Sequence, residues 1–182
     1  MERYCGGDAR AFDALYTRVA PRLLGYLTGL VNDRATAEDL LQQTFLKIHL
    51  HRDVYVRGAD PVPWMYTIAH RTFLDEARRK KRARVRLASD GETLPEIPAE
   101  LDGGASHATV ELDSEQPLGK ETLDALQKLP QAQREAIMLT KVHGRSHAEA
   151  AVITGSTPGA IKLRAHRAYE SLRKLLGAKR AG

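Results

Sequence analysis

The sequence predicts an all-α protein built as two small helical domains joined by a flexible acidic linker. Three observations carry that expectation. Apolar residues recur at three- and four-residue steps in both halves of the chain, the spacing that gathers side chains on one helix face. The positive charge is split into two blocks: residues 62–86 hold eight Lys or Arg against two acids, and residues 117–182 hold twelve against five. Between the blocks, residues 87–116 hold eight acids and no Lys or Arg. The net charge of +5 therefore hides a polarised chain, and two separated cationic surfaces read most simply as two grips on one polyanion.

The first helical pattern begins after Asp8, a suitable N-cap, and carries Phe12, Leu15, Tyr16, Val19, Leu23, Leu27, Leu30 and Val31. Pro21 lacks an N–H and should kink or restart this helix. A turn is expected at Asn32-Asp33, with Thr36 capping a second helix whose Ala37, Leu40, Leu41, Phe45 and Ile48 share one face. Its other face gathers Asp39, Gln42, Gln43 and Lys47 around Leu46. That face is either a docking surface for another protein or a solvated face with one stray leucine. Pro61 and Pro63 mark a loop, and Pro63 suits the first turn of a third helix from Trp64 to about Arg86. This helix ends in five consecutive bases, Arg78 to Arg82, preceded by Trp64, Tyr66 and Phe73. Cations beside flat rings are the chemistry of single-strand binding, although the rings serve equally well as core.

Residues 87–119 are rich in Pro, Gly and acids and poor in large apolar groups, a composition that cannot offset chain entropy. Treated as a coil, this linker spans about 30 Å. Beyond it, short helices are expected at 121–128 and 131–142, the second closed by Gly144. Ser146-His147-Ala148-Glu149 has the form of a capping box. Gly155 ends that helix, and Thr157-Pro158 supplies an N-cap and a first-turn proline for the last one. With small Ala151 four residues before Gly155, this is the grammar of a helix-turn-helix. The final helix turns Ile161, Ala165, Ala168, Leu172 and Leu176 inward. Gly159, Ala160, Lys162, Leu163, His166 and Arg167 face outward. Small residues at its start allow entry to a major groove, Lys162 and Arg167 reach guanine edges or phosphates, and Leu163 meets a thymine methyl. Arg164 lies on the flank, toward phosphate. A basic hairpin packed inside a bundle is the competing structural reading.

Several classes are excluded by composition. Cys5 is the only cysteine, which rules out an internal disulfide or a multi-cysteine metal site and fits a reducing compartment. The apolar stretch from Leu23 to Val31 is interrupted by Gly25, Thr28 and Gly29 and is too short for a bilayer. The first residues, with Arg3, Asp8 and Arg10, lack a signal-peptide pattern. His143 and His147 fall across a turn, and no phosphate loop, nucleophile elbow or carboxylate pair is present, so neither metal, cofactor nor catalysis is expected. A soluble cytoplasmic protein with no membrane segment of its own is the expectation.

The stretch Ala37-Glu38-Asp39-Leu40-Leu41-Gln42-Gln43-Thr44-Phe45-Leu46-Lys47-Ile48, followed by Trp64-Met65-Tyr66-Thr67-Ile68-Ala69 with Asp75 and Arg78, resembles region 2 of extracytoplasmic-function sigma factors. The residues from Leu126 to Pro130 and then Gly144, Ser146, Glu149, Ala151, Gly155, Thr157, Gly159, Ile161, Lys162, Arg164 and Arg167 resemble region 4. The resemblance implies a region 2 unit at 1–86, a linker at 87–119 and a region 4 unit at 120–182. It also implies an alternative sigma factor that takes bacterial RNA polymerase core to promoters. Asp39, Gln42, Gln43, Leu46 and Lys47 would then dock on the clamp of the largest subunit. The loop from Val56 to Val62 and the helix after it would capture the non-template minus-ten strand with an extruded base, using Arg57, Trp64, Arg71, Asp75, Arg78 and Arg79. The last helix would read the minus-thirty-five duplex from Thr157, Gly159, Ala160 and Lys162, and from Leu163, Arg164, His166 and Arg167. An anti-sigma factor is an implied partner, and promoter DNA the implied ligand. His49 stands where Trp is common in the family, Thr67 and His70 where Arg is common, and Leu163 where Ser or Thr is common. The alternative is a stand-alone helix-turn-helix regulator that binds duplex DNA without polymerase.

Overall fold

A computed structural model describes residues 1–88 and 118–180. The described residues form only helices and turns. In the N-terminal unit these are α1 (Glu2–Cys5), α2 (Ala9–Val31), α3 (Arg34–Leu50), a 3₁₀ turn (Arg52–Val54) and α4 (Pro61–Ala88). The C-terminal unit has α5 (Lys120–Gln127), α6 (Gln131–Ile137) running into a π turn (Met138–Val142), α7 (His147–Thr154) and α8 (Pro158–Arg180). The predicted linker falls mostly at 89–117, outside the described residues.

Local chemistry accounts for most boundaries. Asp8 caps α2 by accepting from the N–H groups of Arg10 and Ala11. Of the kink or restart expected at Pro21, the restart does not occur: α2 passes through it as one helix. Thr17, whose carbonyl loses its helical donor there, is exposed together with Pro21, so water can serve the freed group. The α2–α3 turn does fall at Asn32, which is left-handed at φ 54°. The cap of α3 is Asp33 and not Thr36: the Asp33 carboxylate accepts from the Thr36 N–H at 2.9 Å. Similarly α4 starts two residues before Pro63, with Asp60 accepting from the Val62 N–H at 3.0 Å.

The ambiguous pattern of α4 has a packing cause. It lies between α3 on one side and α7 on the other, and Met65, Tyr66, Ala69, His70, Thr72 and Phe73 are all buried. A helix covered from two directions shows no single apolar stripe.

That sandwich belongs to a larger feature, a seam where the two units share one apolar core. Leu23, Tyr26, Leu27 and Leu30 of α2 lie in the same cluster as Leu126, Leu129, Met138 and Leu139. At Gly29 the close approach is specific: a Cβ there would sit 2.2 Å from Met138 Cε and 2.7 Å from its Sδ. The last carbonyls of α2 are capped from the other unit. Gln127 Nε2 donates to Gly29 O at 3.1 Å, and Arg134 Nη1 donates to Leu30 O at 2.8 Å. A guanidinium there satisfies an orphan carbonyl and suits the negative end of the helix dipole. Asn32 Nδ2 adds a 3.2 Å bond to Asp124. The sequence predicts two tethered modules; the structure holds the same two units closed against each other.

Candidate polymerase and nucleic-acid interfaces

The α3 outer face is laid out as its spacing predicts. Asp39, Gln42 and Gln43 are exposed, and Leu46 stands 59% exposed among them. Leu50, one turn further on, is 61% exposed and extends the apolar patch, a residue the sequence reading missed although its i+4 spacing from Leu46 was visible. Lys47 is half-buried and reaches across to α4, where its Nζ lies 3.1 Å from Asp75 Oδ2. Asp75 also lies 3.8 Å from Arg78 Nη1, so this candidate strand contact already joins two cations.

The loop after the 3₁₀ turn alternates. Val54 and Val56 point into solvent, 63% and 72% exposed, while Tyr55 between them is buried, donates its hydroxyl to Ala59 O and packs 5.6 Å from the Trp64 ring. Arg57 is exposed at the tip. Of the three rings considered for base stacking, Tyr66 and Phe73 are core, leaving half-buried Trp64. Arg71, Arg78 and Arg79 are exposed along α4. Arg79 is gripped by Glu76 at 2.7 and 3.0 Å, and that hydrogen bond holds the Glu76 carboxyl below its usual range.

The helix-turn-helix follows its predicted grammar. Ser146 Oγ accepts from the Glu149 N–H at 3.1 Å, and Glu149 Oε2 accepts from the Ser146 N–H at 2.8 Å. Gly155 is left-handed at φ 66°, a conformation that costs glycine little. Thr157 Oγ1 then accepts from the Ala160 N–H at 3.2 Å to open α8. Ile161, Ala165 and Ala168 are buried as expected. Thr157, Gly159 and Lys162 are exposed. Ala160, Leu163, His166 and Arg167 are half-covered, a partial departure from the predicted outward face. Arg164 is tied to the turn, donating to Ser156 Oγ at 3.1 Å.

The seam also holds a polar cluster that sequence spacing does not reveal. Tyr26 Oη and His70 Nδ1 share a 3.0 Å hydrogen bond, and His143 packs 5.7 Å from both the Tyr26 and Tyr66 rings. Arg145 sits 5.8 Å above the Tyr66 ring. Burial, then Arg71, pushes His70 down to about 4, while burial raises Glu135. The 4.0 Å His70–Glu135 contact is therefore not an ion pair at neutral pH. Burial, with Arg145 and Arg22, likewise lowers His143 to about 4. Among the described residues no His, Cys, Asp and Glu cluster is arranged to hold a metal, and no helix is long and apolar enough to cross a membrane.

A helix-turn-helix with a basic outer face is joined to a helical unit that pairs an exposed Gln/Asp/Leu surface with a cationic helix, the layout of a nucleic-acid-binding protein that also offers a protein-docking face. Residues 15–83 match the family model for sigma-70 region 2 and residues 120–172 that for sigma-70 region 4. The chain is 41% identical over 177 residues to the RNA polymerase sigma factor CarQ of Myxococcus xanthus, covering 97% of this chain and 95% of that one. It is 32% identical to the ECF RNA polymerase sigma factor EcfG of Rhodopseudomonas palustris, over 86% of this chain and 80% of the relative. Among solved structures it is similar to the sigma factor RpoE of Bartonella quintana in complex with the anti-sigma factor NepR, with a TM-score of 0.71 and 30% identity over 93% of this chain and 98% of that one. The chain belongs to the extracytoplasmic-function group of the sigma-70 family. It is an alternative sigma factor that directs RNA polymerase.

Proposed function

We propose that the outer face of α3 is the polymerase-docking surface, with Asp39, Gln42, Gln43 and Lys47 ringing the apolar Leu46. The observation that carries this is the 59% exposure of Leu46 within a polar face, continued by Leu50. An apolar anchor inside a polar rim is the anatomy of a protein interface. Residues 1–86 form the unit that opens the minus-ten element, with Arg57, Trp64, Arg71, Arg78 and Arg79 on the captured strand and Asp75 bracing Lys47 and Arg78. Residues 120–182 read the minus-thirty-five duplex, Lys162 and Arg167 supplying the reaching cations and Arg164 a phosphate contact from the turn. Residues 87–119 are the tether.

Promoter elements about 25 base pairs apart lie about 85 Å apart along B-form DNA. Units that share a core cannot reach both, so the seam parts when the holoenzyme engages a promoter. The similarity to a sigma factor solved with its anti-sigma factor supports the closed arrangement as the form that a partner of that kind holds. The test is runoff transcription by core polymerase reconstituted with this chain on a randomised promoter pool. Selection of two spaced elements is expected, lost in the Asp39→Ala, Gln42→Ala double variant while duplex contacts of the free chain persist. Tight operator binding by the chain alone, with no association with core, would establish the stand-alone regulator instead.

A further inference from the structure

Helix α1 is anchored at its base and touches the segment 49–58 at three points. At the base, Arg3 donates to Asp8 Oδ2 through Nε at 3.1 Å and Nη2 at 2.7 Å, while Asp8 Oδ1 caps α2. The Tyr4 ring is buried and packs 5.2 Å from Phe12. From there Tyr4 Oη hydrogen-bonds His49 Nδ1 at the end of α3. Cys5 Sγ donates to Arg52 O at 3.2 Å, and Glu2 Oε1 accepts from the Gly58 N–H at 2.8 Å. Arg52 closes the set by donating Nη1 to His49 O at 2.7 Å. Gly58 has φ +83° with open space where a Cβ would lie, so backbone conformation and not crowding calls for glycine there.

These contacts determine what the loop presents. Its inner anchor is Tyr55 against Trp64, and its outer anchor is the Glu2–Gly58 bond. Between the anchors Val56 and Arg57 are held out in water, and Val54, just before the inner anchor, is exposed beside them. Two apolar side chains beside a cation suit the face of an unpaired base and the phosphate next to it. We propose that α1 is a clasp, and that Glu2 and Tyr4 are positioning residues which hold the 54–58 loop in the shape that receives one extruded base of the promoter strand. This rests on the assignment of the loop from Val56 to Val62, whose first residues the clasp holds, to strand capture. A loop ordered beforehand spares the ordering entropy at capture, so loss of the clasp weakens discrimination at the base the loop receives and leaves the other positions alone.

The experiment uses reconstituted holoenzyme and a promoter set varied one base at a time through the minus-ten element, read by abortive initiation and by 2-aminopurine fluorescence for base extrusion. Glu2→Ala should flatten the preference at one position by about fivefold to tenfold, the scale of one lost solvent-exposed hydrogen bond. Glu2→Gln, which keeps an acceptor oxygen, should recover most of it. Tyr4→Phe, which removes only the hydroxyl, should give a smaller loss at the same position. Val56→Ala and Arg57→Ala report on the loop itself. If those two change the preference and Glu2→Ala does not, the clasp is refuted while strand capture by the loop stands. If neither loop variant changes it, the assignment falls and the clasp with it. A loss equal at every position, tracking a fall in thermal stability, would also refute the clasp, because α1 would then only stabilise the unit.

Discussion

A substitution at Gly29 should change sign according to what stands at position 138. Gly29 lies inside α2, where replacing Gly by Ala gains about 1 kcal/mol of helix propensity. Its Cβ, however, would come within 2.2 Å of Met138 Cε and 2.7 Å of Sδ, and Met138 is 0% exposed, with packed neighbours around it. Overpacking of that kind costs about 1–3 kcal/mol. Gly29→Ala should therefore be neutral or destabilising by up to about 2 kcal/mol in the wild-type background. Met138→Ala alone should cost about 2–5 kcal/mol for the lost burial and its cavity. In the Met138→Ala background the obstacle is gone, and Gly29→Ala should stabilise by about 1 kcal/mol. The coupling is thus about 1–3 kcal/mol across the seam, well above the roughly 0.5 kcal/mol scatter of independent sites. Urea unfolding of the four proteins, with slopes compared to confirm a common transition, measures it. If Gly29→Ala stabilised both backgrounds equally, the two units would not be docked in the free chain as described.

Three further outcomes follow from other parts of the fold. Leu46→Ser should change folding stability by less than about 0.5 kcal/mol, since the side chain is exposed, yet weaken core polymerase binding about 30-fold, as loss of an apolar anchor does; equilibrium titration of labelled core reads the second effect. His70 and His143 are both held near 4 by burial, against an ordinary 6.5, so the unfolded chain takes up their protons first. Stability should fall as pH drops from 6.5 toward 4, by about 1 kcal/mol per pH unit for each histidine. Glu135, raised by burial, acts in the opposite sense, so the urea midpoint is best followed in Glu135→Gln, and a midpoint flat from pH 7 to pH 5 would refute the argument. Ser146→Ala removes the forward half of the capping box and should cost about 1 kcal/mol by thermal unfolding, with minus-thirty-five binding weakened alongside.

Features whose determinants lie within a few residues of one another were readable from sequence. The Ser146/Glu149 box, the Gly155 stop, the Thr157-Pro158 start and the buried face of α3 are such features, and each stands where its spacing put it. Asp33 took the capping role expected of Thr36 because either side chain was chemically suitable and only the backbone decided. The seam was not legible, since Gly29 and Gln127 are 98 positions apart and no local periodicity links them. The same cause hid the roles of Tyr66, His70 and His143, which look like ordinary members of polar or aromatic stretches until α2, α4 and the end of the π turn are brought together. Leu50 could have been found by extending the Leu46 stripe by one turn. The clasp could not, because α1 offers only four residues and its partners begin 45 positions later.

The Arg134 and Gln127 side chains that finish the last turn of α2 bear on how such proteins are recombined in the laboratory. A chimera that grafts a foreign C-terminal half onto this N-terminal half inherits an α2 whose final carbonyls were designed around a donor supplied from elsewhere. Unless the graft brings an equivalent arginine and a slot-filling methionine, the swapped protein will be looser in both halves, and its altered promoter choice will reflect that slack as much as the new reading head.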